Sequence, residues 1–122
     1  MLNYENIKND LKEIWRDPLH KELITKKLDV STYETLNGVI PDKYLNIDEV
    51  FPEDEIDEIW NNFKPYLQEH NIFPFIRTLD ESVICMGYGD NNNGKIFYFN
   101  FDFGCIPLEE SLDKFLSGLI DK

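Results

Sequence analysis

The sequence predicts an α+β fold: helices first, then a mainly antiparallel central sheet interrupted by one inserted helix, then a C-terminal helix. Three observations carry this reading. Apolar residues recur at spacings of three and four near the start of the chain and again after Pro52, which marks one face of a helix. Between Ile72 and Phe103 the apolar runs are short and separated by turn-forming residues, as strands are. After Leu108 helical spacing returns.

In the first helix Tyr4, Ile7, Leu11, Ile14 and Trp15 share a face, with Asn3 as N-cap. Asp17-Pro18 interrupts the pattern and restarts it, Asp as N-cap and Pro at the first helical position. Leu19, Leu23, Ile24 and Leu28 continue the helical spacing. A short helix follows at 31–36, where Ser31 and Glu34 stand at capping-box spacing and Gly38 supplies a stop. Val39-Ile40 and Tyr44–Ile47 read as short strands. The inserted helix begins near Pro52 and carries Ile56, Ile59, Trp60, Phe63, Tyr66 and Leu67, with Pro65 expected to kink or break it. Strands are expected at 72–77, 82–88 and 95–103, the last two joined by the hairpin loop Asp90–Gly94. In the third of these strands Phe97, Phe99, Phe101 and Phe103 alternate with Tyr98, Asn100 and Asp102. The phenylalanine face is expected to pack on Phe115 and Leu116 of the last helix, leaving the other face wetter. With 122 residues the chain has the length of a single domain, 1–122, helical over about 1–36 and sheet-containing over about 39–122.

Charge is the first functional clue. Twelve basic residues stand against twenty-four acidic ones, a net charge of −12. Residues 1–28 hold six Lys/Arg and five Asp/Glu, while residues 29–122 hold six and nineteen. Such a field repels nucleic acid and anionic membranes and attracts basic partners. The start Met1-Leu2-Asn3-Tyr4-Glu5 reads as no signal peptide, and no run reaches membrane-spanning length, so the expected location is cytoplasmic. Cys85 and Cys105 lie in apolar stretches and read as buried thiols.

The residue patterns do not point to catalysis, a metal or a cofactor. His20 and His70 have no neighbour at metal-ligand spacing. Gly87-Tyr88-Gly89 is followed by an Asn-rich turn where a phosphate-binding loop needs a helix. The Asp90–Gly94 loop fails as a calcium loop, because Lys95 and Phe101 occupy the places of the required Gly and Glu.

Four segments resemble a known family. Ile72-Phe73-Pro74-Phe75-Ile76, Ser82-Val83-Ile84-Cys85-Met86-Gly87, Gly94-Lys95-Ile96-Phe97-Tyr98-Phe99 and Ser111-Leu112-Asp113-Lys114-Phe115-Leu116-Ser117-Gly118-Leu119 resemble the SUKH superfamily across roughly residues 72–120. The resemblance implies a central sheet flanked by helices. It also implies a role: bacterial members look like immunity proteins that neutralise toxins, often nucleases, and fungal relatives like regulators of cell-wall synthesis. No catalytic set comes with the resemblance, so no residue role is carried over.

The leading reading is therefore an immunity protein, not an enzyme, that binds a basic cognate toxin directly. A regulatory scaffold for endogenous partners is the second reading, and a small hydrolase with an acidic pair the third. The candidate contact residues are Asp48, Glu49, Glu53, Asp54, Asp57 and Glu58, in a segment without Lys or Arg. A helix N-terminus rewards acids only in its first turn. Asp48 and Glu49 precede that turn, so the excess points to a surface kept negative for a partner.

Overall fold

The computed structural model describes residues 5–16 and 18–122. The expected caps Asn3 and Asp17, and the apolar Tyr4, lie outside them. The helices are α1 (Glu5–Trp15), α2 (Leu19–Leu23), α3 (Glu34–Asn37), α4 (Ile56–Leu67) and α5 (Leu112–Ser117). The strands are β1 (Lys26–Asp29), β2 (Tyr44–Val50), β3 (Ile72–Thr78), β4 (Val83–Gly87), β5 (Ile96–Asn100), β6 (Gly104–Glu109) and β7 (Ile120–Asp121). All seven strands join one antiparallel sheet in the order β6-β5-β4-β3-β2-β1-β7. The fold is α+β.

The sheet is sequential from β1 to β6, each strand beside its chain neighbour, and β7 returns to pair with β1 at that edge. Its central strands β3 and β4 are buried along almost their whole length, as strands covered on both faces must be. Helix α4 packs on β3, with Trp60 against Phe73 at 5.1 Å between ring centroids. Phe115 of α5 meets Phe75 edge-on at 6.3 Å, a favoured aromatic geometry. Ile7, Leu11 and Ile14 of α1 are fully buried, as their spacing requires. The β4–β5 hairpin is closed by Asn92, which accepts from the Gly89 N–H at 2.7 Å and donates to the His70 carbonyl at 3.0 Å. Gly87 is obligatory beneath it: a Cβ there would come within 2.1 Å of the Asn92 carbonyl oxygen.

The structure corrects several expectations. Residues 26–29, placed in the helical part about 1–36, form β1, with Leu28 opposite Leu45. Ile24 and Leu28 fit helical spacing equally well, and pairing with β2 and β7 decides the matter. Val39-Ile40 is no strand, since both amides bond back to the Leu36 carbonyl. Ser31 caps no helix; it sits in a 3₁₀ turn, and the Asp29 carboxylate accepts from its N–H at 3.1 Å. Helix α4 runs through Pro65 to Leu67, because a proline this near the helix end removes little. A 3₁₀ turn, Glu53–Glu55, precedes α4.

The largest correction concerns 95–103. Strand β5 stops at Asn100, whose Oδ1 accepts from the N–H groups of Asp102 and Phe103 at 2.7 and 3.2 Å. This side chain–backbone turn, followed by Gly104 at φ +83°, reverses the chain into β6. Phe101 and Phe103 therefore stand in solvent, 59 % and 45 % exposed, while Tyr98 on the supposedly wetter face is fully buried.

Candidate protein-binding surface

The six candidate acids fall into three local settings. Asp48 and Glu49 lie on β2 at a bulge, where the register shifts between Ile47 and Glu49. A bulge sets two residues against one, and the one here is Arg77 of β3. Its guanidinium donates to Asp48 Oδ2 at 2.9 and 3.1 Å and lies 3.7 Å from Glu49 Oε1. Glu53 and Asp54 project from the 3₁₀ turn, exposed. Asp57 and Glu58 open α4, where Asp57 pairs with Lys8 of α1. Glu53, Asp54 and Glu58 make no ion pair among the described residues. The Trp15 indole N–H, donating to the Phe51 carbonyl at 2.9 Å, pins the corner between β2 and this turn.

The turns place an apolar ledge beside Asp48 and Arg77. Phe101 stacks on Phe63 of α4 at 6.4 Å and meets Tyr66 edge-on at 4.9 Å. Phe101 also touches Phe99, at 5.4 Å. Leu79, at the tip of the β3–β4 turn, is 59 % exposed. Between these groups opens a cleft of about 480 Å³, lined by Asp48, Phe63, Arg77, Leu79, Glu81 and Phe101. Soluble surfaces seldom display clustered apolar side chains without a partner for them.

One buried polar network fixes both turns that build the ledge. Asp80 accepts from the Thr78 hydroxyl, from the Ser82 N–H at 3.2 Å and from the Tyr98 hydroxyl at 3.1 Å. The Ser82 hydroxyl donates to Tyr98 at 2.8 Å, and Asn100 Nδ2 donates to Ser82 Oγ at 2.9 Å. Asn100 thus ties the Phe101 turn to the Leu79 turn. Burial pushes the Tyr98 phenol up to about 12, so its hydroxyl keeps the proton that it donates to Asp80.

The remaining reactive groups are quiet. Cys85 and Cys105 are free thiols; burial raises the first and pushes the second up to about 11. Among the described residues no three His, Cys, Asp or Glu side chains are grouped to hold a metal ion, and no helix is long and apolar enough to cross a membrane.

The acids stand out in the sequence as a run, whereas the ledge does not: periodicity assigns Phe101, Phe103 and Tyr66 to apolar faces. The signal that finds them is local: Asn100-Phe101-Asp102-Phe103-Gly104 alternates its aromatics with the residue types that form turns.

Comparison with curated proteins returns no match. Comparison with protein families gives a match over residues 22–120, a span that includes strands β1 to β6, the bulge and the ledge. The family is one of toxin immunity. That is the role the SUKH resemblance implies, although the match does not itself carry the SUKH assignment. The chain belongs to the RhsPI family, the Rhs-associated immunity proteins.

Proposed function

We propose that this protein neutralises its cognate Rhs toxin by direct, stoichiometric binding, and that its acidic surface steers a basic toxin toward it. The observation that carries this reading is the family match joined to a net charge of −12. Charge complementarity raises association rates and selects among partners. A toxin that acts on nucleic acid needs a basic surface, so a nuclease is the first toxin class to test. Such a toxin threatens the cytoplasm of the cell that makes it, and binding there would protect that cell.

Glu53, Asp54 and Glu58 are the acids best suited to long-range steering, since they are exposed and outside the ion pairs described above. Asp57 is a poor probe: reversing its charge would set it against Lys8 and disturb the contact between α1 and α4. The test is the triple change Glu53→Lys, Asp54→Lys, Glu58→Lys, assayed against the cognate Rhs toxin. The expected result is intact folding with an association rate about tenfold or more slower at low salt, the difference shrinking as salt rises. An unchanged rate and unchanged salt dependence would show that these acids only keep the protein soluble.

A further inference from the structure

We infer that the toxin is anchored at the cleft between Phe101 and Leu79, and that the occupant is a basic segment whose Arg or Lys stems lie across the exposed rings. This rests on the immunity reading and goes beyond it by separating the anchoring surface from the steering one. The segment's cationic heads would reach Asp48, Glu49 and Glu81, while its aliphatic stems cover Phe101 and Tyr66.

The chemistry of the cleft selects this occupant. Phe101 and Leu79 are each 59 % exposed and Tyr66 is 50 % exposed. Phe101 and Leu79 both line the cleft, and Tyr66 meets Phe101 edge-on at its rim, so they are not scattered single residues. Arginine and lysine stems pack along such surfaces with their charges left in contact with polar groups, and a cation over an aromatic face gains further attraction. Within the protein the Arg77 guanidinium already pairs with Asp48 and lies near Glu49, so carboxylates at this bulge accept a guanidinium. Asp48 and Glu81 of the cleft lining outnumber Arg77, which leaves the cleft negative. A second copy of this chain is a poor occupant, since two molecules of net charge −12 repel one another.

The ledge is also ready to bind. Phe101 is held by Phe63 and Tyr66, and its turn by Asn100 through the network that fixes the Leu79 turn. Side chains already ordered lose little on association. Rigid aromatic groups beside charges are where binding energy concentrates.

The experiment measures association and dissociation of the inactivated cognate Rhs toxin with the wild-type chain, Phe101→Ala and Leu79→Ser. These two residues lie in separate turns, so a folding defect in one leaves the other informative. The expected result is a dissociation rate at least about tenfold faster in either variant, with association little changed. The difference should persist at about 0.5 M salt, where steering is screened. Wild-type binding with unchanged dissociation in both variants overturns this inference and leaves the immunity reading standing. A wild-type chain that does not bind the toxin overturns both.

Discussion

Two tyrosines show how differently one residue type is used. Tyr98 is fully buried, donates to Asp80 and accepts from Ser82. Tyr33 is 5 % exposed, and its hydroxyl finds no hydrogen-bond partner among the described residues. Burial is the main cause that pushes each phenol up to about 12, with Glu109 and Asp29 adding to it at Tyr33. The folded chain then keeps protons that the unfolded chain releases above its ordinary value of 10. Stability from these groups is therefore whole below about pH 10 and is lost as pH rises toward 12. Tyr33→Phe removes an unsatisfied hydroxyl, so thermal unfolding at neutral pH should be unchanged or slightly higher, and the alkaline decline should flatten. Tyr98→Phe should instead cost about 1–3 kcal/mol at neutral pH, because Ser82 and Asp80 lose their partner. Equal losses from both substitutions would contradict this account. Neither role is legible in sequence, where Tyr98 falls on the face that alternation marks as wetter.

At the scale of elements, periodicity found the helices and central strands but not where they stop. Strands β3 and β4 were legible because Ile, Val and Phe crowd between clear turn residues. Strand β1 was not, since Leu28 sits one helical turn from Ile24 and only pairing with β2 distinguishes strand from helix. Strand β6 was hidden because the run Phe97–Phe103 keeps period two straight through the turn that Asn100 makes. Alternation reports which side a residue would face if the strand continued, and the side-chain hydrogen bonds that end a strand leave no periodic trace. The acids of the candidate surface were visible as a run, but their division among bulge, 3₁₀ turn and helix was not. This distinction sets different expectations for two phenylalanines once placed in one cluster. Phe115→Ala should destabilise by about 3–5 kcal/mol, as truncation in a packed core does. Phe101→Ala, beyond the end of β5 and 59 % exposed, should cost less, about 1–2 kcal/mol, the worth of its ring contacts with Phe63, Tyr66 and Phe99. Chemical denaturation of both variants checks the pair, and a large loss in Phe101→Ala would return that ring to the core.

For the whole molecule, the sheet is the frame that carries both proposed surfaces. In the reading proposed above, the acids of the turn before α4 steer the toxin and the ledge of Phe101, Tyr66 and Leu79 holds it. The family match covers strands β1 to β6 of that sheet. The central claim is that protection comes from occupancy and not from turnover. It is tested most directly by titrating a fixed amount of the cognate Rhs toxin's activity with the purified chain. Binding predicts a linear fall to full inhibition at a fixed molar ratio, independent of incubation time once mixed. Inhibition by a small fraction of an equivalent, deepening with time, would show that the protein consumes or modifies the toxin and would contradict the account.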